Sequence, residues 1–233
     1  MDDIPYPVRI NRYLLLMGYC SRRKADELIA KGEVSINGKV AELGSIVQRK
    51  DTVSVSKNIA ALPHTYTYFA YNKPRGIVSH NPQKGERAVE DVSGLGKNVS
   101  PVGRLDKESR GLMLLTNDGR IVDSLLNPKY EHEKEYRVTV DKKNSNWFLR
   151  HMESGVDIEG YVTKPAKIKK KSDTTFALIL TEGKRHQIRR MCAALGYQVR
   201  DLKRVRIGDI KLARLKEGDV RELTEKERAS LFA

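Results

Sequence analysis

Between positions 10 and 17 the apolar residues Ile10, Tyr13, Leu14 and Met17 fall at i, i+3, i+4 and i+7, the spacing of one helix face. Gly18 ends that helix. Ser21 can cap a second one, which turns Ala25, Leu28 and Ile29 inward and stops at Gly32. The period then changes. Val34-Ser-Ile36, the turn pair Asn37-Gly38 and Lys39-Val40 read as a tight hairpin, and a strand over 52–55 closes a compact unit spanning 8–57. Residues 58–65 contain Pro63, lack periodicity and are expected to form a linker.

From residue 66 strands dominate. Positions 66–71 alternate, 73–76 is a turn, and 79–98 reads as a long loop rich in Gly, Pro, Asn and Lys, a length that points to function or mobility. The apolar run 112–115, stopped by Asn117-Asp118-Gly119, predicts a buried strand ending in a turn. Short helices are expected over 120–126 and 147–152. A long strand over 132–140 puts Tyr136, Val138 and Val140 on one side. Segments 156–158 and 160–162 pair as an arm, and Phe176, Leu178 and Leu180 alternate in a further strand. The spacing of Ile188, Met191, Cys192 and Leu195 predicts a helix over 184–195 ending at Gly196. A basic strand over 197–206 and a final helix capped by Thr224 complete the chain. Several strands without intervening helices predict an α+β body over 66–233 with a mainly antiparallel mixed sheet.

Charge narrows the partner. The 233 residues carry 44 Lys and Arg against 30 Asp and Glu, a net charge of +14. Such an excess favours a polyanion, because each neutralised phosphate releases counterions. In the first unit ten basic residues face five acidic ones, and Arg22, Arg23 and Lys24 crowd the first turn of a helix. Cations there oppose the helix dipole at about 0.3–1 kcal/mol each. A phosphate bound at that turn would offset the cost. The two cysteines, Cys20 and Cys192, lie far apart, and the five histidines show no ligand spacing. No metal site is expected, and a reducing cytoplasm is the expected compartment. No apolar run is long enough to suggest a membrane span.

Three residues could do chemistry. Asp106 stands in a loop just before the buried strand, a place where one side chain can be held still. Beside Arg104 and Lys107 it could equally be a surface ion pair. In the basic segment 182–191, Arg185 and Arg189 are at i and i+4, so the predicted helix places them on one face. A guanidinium near a carboxylate keeps it ionised and oriented. Such a carboxylate can attack a sugar carbon or an activated ring, but a glycosidase would need a second carboxyl, and none is suitably spaced. Tyr136 could stack on an extruded base or relay a proton, or simply fill a core.

Particular motifs carry resemblances. Arg9-Ile-Asn-Arg-Tyr-Leu14, Cys20-Ser-Arg-Arg-Lys-Ala-Asp26 and Gly32-Glu-Val-Ser-Ile-Asn-Gly-Lys39 resemble the S4 RNA-binding domain (an αL-type module). Gly103-Arg-Leu-Asp106 followed by Gly111-Leu-Met-Leu-Leu-Thr-Asn-Asp-Gly119 is similar to the signature of the RsuA/RluB/RluE/RluF family of pseudouridine synthases. Asn72-Lys-Pro-Arg-Gly76 looks like that family's first motif. Lys134-Glu-Tyr-Arg-Val138 and the stretch from Glu182-Gly to Gln187-Ile-Arg-Arg-Met191 look like its later ones. The segments 131–140, 160–164 and 204–208 look closest to its RluF-type branch.

The resemblance implies an enzyme that breaks the C1′–N1 bond of a uridine and rejoins the base through C5, without cofactor or metal. Asp106 would be the nucleophile, Arg189 its ionic partner, Tyr136 the stacking and proton-moving ring, and Arg104 the residue that fills the gap left by the flipped base. The expected RNA contacts are Arg9, Arg12, Arg22, Arg23, Lys24, Lys73, Arg104, Lys184 and Arg185. The implied substrate is a large-subunit rRNA stem-loop and, for some members, a tRNA anticodon loop; the implied state is a monomer. Departures are mild: Ser109 stands where Thr is frequent, His186 where Arg or other residues occur, and Arg190 where some related synthases have an aliphatic residue. The alternative is a non-catalytic S4-type ribosome assembly factor, which would need only 8–57 and the positive charge.

Overall fold

The computed structural model describes residues 4–56, 66–96 and 99–232. The chain divides into two compact units, residues 1–66 and 67–233. The expected linker over 58–65 lies outside the described residues.

The first unit holds β1 (Val8–Arg9), α1 (Ile10–Leu16), α2 (Arg22–Ala30), β2 (Val34–Ile36), β3 (Lys39–Val40), β4 (Ile46–Val47) and β5 (Val53–Val55). The two helices bury Ile10, Leu14, Ala25, Leu28 and Ile29 against Val34 and Val47. Ser21 caps α2 by accepting from the Lys24 N–H. Asn37 and Gly38 both have positive φ (52° and 79°), which is what a two-residue hairpin turn with the strands' own twist requires. Antiparallel pairing joins β3 to β2 and β2 to β5.

The second unit follows with β6 (Tyr68–Lys73), α3 (Val89–Val92), β7 (Ser100–Val102), β8 (Arg110–Thr116), α4 (Arg120–Leu126), β9 (Lys134–Val140), α5 (Asn146–Ser154), β10 (Lys167–Lys170), β11 (Thr175–Leu180), α6 (Gln187–Ala194), β12 (Val199–Ile207), β13 (Ile210–Lys211), β14 (Val220–Glu222) and α7 (Glu225–Ala229). Its strands form one sheet in the order β10-β11-β9-β12-β8-β6-β14, with β7 added to β8 and β13 to β12. Among the described residues the β12–β8 pairing is the parallel one between named strands. The fold is α+β with a mainly antiparallel mixed sheet.

Two expectations change. Within the described part of the expected loop, 79–96, the chain is not loop throughout. Val78 bridges to Ala88, and α3 follows with the Asp91 carboxylate accepting from the Ala88 N–H. Helix α6 starts at Gln187 rather than 184, so Arg185 precedes it and shares no helix face with Arg189. The cause lies in the buried Gln187 and Glu182, described below, which impose a turn where apolar spacing alone would continue a helix.

Register sets the centre of the sheet. Lys73 pairs with Gly111, Gly111 with Arg204, Arg204 with Tyr136, and Tyr136 with Leu178. Directly paired residues share a face, so this row crosses the middle of one face. On one side lies a core built on Val138, Phe148, Met152, Phe176, Met191 and Cys192. On the other lies a core of Tyr71, Ile77, Val89, Leu105, Met113 and Leu115. Tyr136 packs against both.

Candidate active site

The connection from β7 to β8, residues 103–109, carries Asp106 and is tied down along its length. Ser79 Oγ accepts from the Leu105 N–H (2.9 Å) and donates to the Leu105 carbonyl (2.7 Å). His80 Nε2 lies 3.2 Å from the Gly103 carbonyl. The Gly76 N–H donates to Lys107 O (2.8 Å), and the Ser109 N–H donates to Asp106 O (2.9 Å). Arg189 closes the loop's end: its Nη2 donates to Glu108 O at 3.0 Å and reaches Ser109 Oγ at 3.5 Å, while Nη1 donates to Val199 O. The carbonyls of 103, 105, 106, 107 and 108 are thus all engaged. The backbone is held by partners from two other segments, and the Asp106 carboxylate projects from it, 34% exposed.

The anchor is testable at Ser79, which is buried. Ser79→Ala orphans the Leu105 N–H and C=O, at about 1–3 kcal/mol for each group left unsatisfied. A lower denaturation midpoint and slower turnover are expected together. An unchanged midpoint with full turnover would show that the loop does not depend on this hydroxyl.

The expected Arg189–Asp106 ion pair is replaced by a different arrangement. Arg189 donates to the backbone carbonyls of Glu108 and Val199, and among the described residues it makes no ion pair with Asp106. The group within ion-pair distance is His186, whose Nε2 stands 3.4 Å from Asp106 Oδ1.

Lys73 also needs correction as an RNA contact. Its side chain is fully buried, and its ammonium donates to Pro74 O (2.9 Å) and Ile77 O (2.6 Å). Burial pulls its pKa down to about 8, a shift partly opposed by the carboxylates of Asp106 and Glu108. Lys73 therefore braces the turn that holds Lys107 and adds positive potential near Asp106 from within. Arg204, 4% exposed, adds a second buried cation, with Nε donating to Leu112 O at 2.7 Å. Lys134 is pushed below the ordinary lysine range by burial and by Arg204.

The remaining candidates are placed as follows. Arg104 and Arg185 are exposed. Lys184 is exposed with its ammonium 4.4 Å from the centre of the Tyr161 ring. In the first unit Arg9, Arg22, Arg23 and Lys24 are exposed, Arg12 is half-buried, and Lys24 pairs with Glu27 at 3.0 Å. Ser79, His80, Glu182 and His186 were missed as participants. The first two contact a loop some twenty-five residues away, a separation at which no local pattern signals contact. Glu182 and His186 lie inside a recognised motif, but only their packing shows what they hold. Among the described residues no group of three or more His, Cys, Asp or Glu could hold a metal ion.

A carboxylate on an immobilised loop, beside an imidazole, above buried cations and near a half-buried tyrosine, suits covalent or proton chemistry on a flipped nucleoside. Comparison with known proteins decides the family. The sequence model described as RNA pseudouridylate synthase matches residues 67–194, and the one described as the S4 domain matches 8–53. The chain belongs to the RNA pseudouridine synthases.

Among its relatives, the "Dual-specificity RNA pseudouridine synthase RluF" of Escherichia coli (strain K12) is 43% identical, over 97% of this chain and 78% of that protein. The "Ribosomal large subunit pseudouridine synthase B" of Bacillus subtilis (strain 168) is 39% identical, over 94% and 93% respectively. A crystal structure described as a pseudouridylate synthase aligns with a TM-score of 0.72 at 31% identity, covering 96% of this chain and 99% of that one. The synthase therefore isomerises uridine to pseudouridine in RNA, and the non-catalytic alternative is set aside. A catalytic-family match over 67–194 is a part an assembly factor would not need.

Proposed function

We propose that the synthase converts a specific uridine in a large-subunit rRNA stem-loop, with Asp106 as nucleophile. The observation that carries the role of Asp106 is the loop: five of its carbonyls are bound, and the partly exposed Asp106 carboxylate takes no part in that backbone bonding. The relatives' names, one a ribosomal large-subunit enzyme and one a dual-specificity RNA enzyme, favour rRNA as the target and leave a tRNA anticodon loop as a second substrate. The reaction breaks C1′–N1 and joins C1′ to C5; N1 gains a proton and C5 loses one. Attack on C1′, attack on C6 and removal of a sugar proton all require an ionised, fixed carboxylate. Tyr136 supplies the surface on which the extruded uracil stacks. Arg104, exposed two residues before Asp106, occupies the gap in the stem, helping to offset the few kcal/mol that flipping costs.

In this reading residues 8–57 are the RNA-binding module and 66–233 the catalytic body. Arg9, Arg12, Arg22, Arg23, Lys24, Lys184 and Arg185 meet the phosphates. We place it in the cytoplasm with its RNA substrate and read it as a monomer; Asp106, Tyr136 and Arg189 all come from one body of one chain, so the site needs no residue from a second copy. Incubation with unmodified rRNA and tRNA, followed by mapping of pseudouridine at nucleotide resolution, tests the target. One new pseudouridine in a large-subunit stem-loop is expected. Modification confined to tRNA would refute it.

The module has its own test. Lys24 is already engaged by Glu27, so Arg22 and Arg23 are the free charges of the first turn. Replacing both with Gln should reduce the slope of log affinity against log salt by about 1.4, at roughly 0.7 per phosphate contact. The same change should stabilise α2 by about 0.6–2 kcal/mol, because each of the two cations opposes its dipole. An unchanged slope would remove this turn from the RNA interface.

A further inference from the structure

The position of His186 is imposed by a buried network. Glu182, 4% exposed, accepts from Tyr161 Oη (2.6 Å), the Lys164 N–H (3.1 Å) and Gln187 Nε2 (2.7 Å). Gln187 Oε1 in turn accepts from the Lys184 N–H (2.9 Å). These bonds pin both ends of the turn 182–187. His186, between them, adopts a left-handed conformation with φ 51° and makes no side-chain cap bond to α6. A non-glycine residue there is held at a cost that the surroundings must over-determine. The consequence is that the imidazole leaves the turn toward Asp106, with Nε2 at 3.4 Å from Oδ1.

We propose that His186 is the positioning residue of Asp106: its imidazole, with Nε2 3.4 Å from Oδ1, faces the carboxylate and fixes its direction in the cleft. This rests on the assignment of Asp106 as nucleophile. The role is the one expected of Arg189, which the structure commits to backbone carbonyls instead. The other charged groups on the two segments that meet here are Lys184, Arg185, Arg189 and Arg190 on one side and Arg104, Lys107 and Glu108 on the other. Lys107 is engaged by Glu86 and Arg190 by Glu159, and Lys73 lies buried nearby. None of these is within ion-pair distance of Asp106 among the described residues, so the direct contact belongs to His186. An imidazole ring nitrogen that carries its proton can donate toward the carboxylate, so the ring supplies the orienting contact that Arg189 does not.

The test compares the full-length wild type with His186→Arg, His186→Gln and His186→Ala on an unmodified large-subunit rRNA transcript, in single turnover. Equal melting midpoints establish that the variants are folded. His186→Ala is expected to lower kcat about tenfold while KM stays within about threefold, the mark of lost orientation rather than lost binding. His186→Gln, which keeps a side-chain donor of similar reach, is expected to recover severalfold of the kcat lost in His186→Ala, again with KM within about threefold, and His186→Arg to do the same. Wild-type kcat in His186→Ala, or no recovery in either donor-bearing variant, overturns the inference. Asp106→Asn separates the two levels. If it is inactive while His186→Ala is unimpaired, the positioning role fails and the nucleophile stands. If Asp106→Asn retains full turnover, the nucleophile assignment fails and takes the positioning role with it.

Discussion

Asp106→Asn is expected to abolish pseudouridine formation, with a loss on the order of 10³-fold or more, as for removal of other covalent nucleophiles. The neutral amide can neither attack C1′ or C6 nor accept a sugar proton. The loop should survive the change, because its anchors use the carbonyls of 103 and 105–108, the Leu105 N–H and the Ser109 hydroxyl, and none uses the carboxylate. RNA affinity should also persist, since attraction to phosphate resides in the Lys and Arg excess. The measurements are mapping of pseudouridine on the same transcript and a binding titration at fixed salt. Near-normal conversion would remove Asp106 from the chemistry. Lost binding alongside lost conversion would show that the carboxylate is needed to build the site.

Gly111→Ala is expected to cause the largest loss of stability. Gly111 has φ +108°, and a Cβ there would lie 2.3 Å from Arg204 O and 2.8 Å from Arg204 N. Both obstructing atoms are backbone, so no side chain can swing aside. Among the described residues the seam between β8 and β12 is the parallel pairing between named strands and joins only Arg110 to Lys203 and Gly111 to Arg204. Forcing it apart separates the two halves of the sheet where the active-site row crosses. Backbone strain and lost pairing together should cost about 3 kcal/mol or more. At roughly 2–4 °C per kcal/mol for a body of this size, the midpoint should fall by about 6–12 °C. Calorimetry checks this; a midpoint within about 1 °C of wild type would mean the strands accommodate a methyl group. Turnover should fall too, since Arg204 and Tyr136 lie in the same row.

Most elements were legible because their signals are local. The helix spacing of Ile10, Tyr13, Leu14 and Met17, the Ser21 cap, the Asn37-Gly38 turn and the Thr224 cap each depend on residues within a few positions of one another. All four have counterparts in the structure. The alternation of Phe176, Leu178 and Leu180 was readable for the same reason, and all three are buried. The start of α6 was not, because apolar spacing at Ile188, Met191 and Cys192 says nothing about where a helix begins. The competing signal was Gln187, a polar residue whose burial could not be foreseen without Tyr161 and Glu182 beside it.

At the site the same division holds. The motif around Asp106 marked the nucleophile candidate, and the surplus of cations indicated RNA; both are properties of residue type and order. The contacts of Lys73, Arg189 and His186 were set by distant parts of the chain. Lys73 looked like a surface cation and is buried, because β6 brings it into register with Gly111. Arg189 reaches the carbonyl of Glu108 instead of a carboxylate. His186 meets Asp106 across a sequence separation of eighty residues. Sequence by itself determined the two-unit layout, the α+β class and the chemistry of the family, since patterning, turn residues and motif composition are written in neighbouring positions. Tertiary structure alone decided which side chain stands nearest the Asp106 carboxylate, because that choice depends on sheet register and on a buried hydrogen-bond network whose members are distant in the chain.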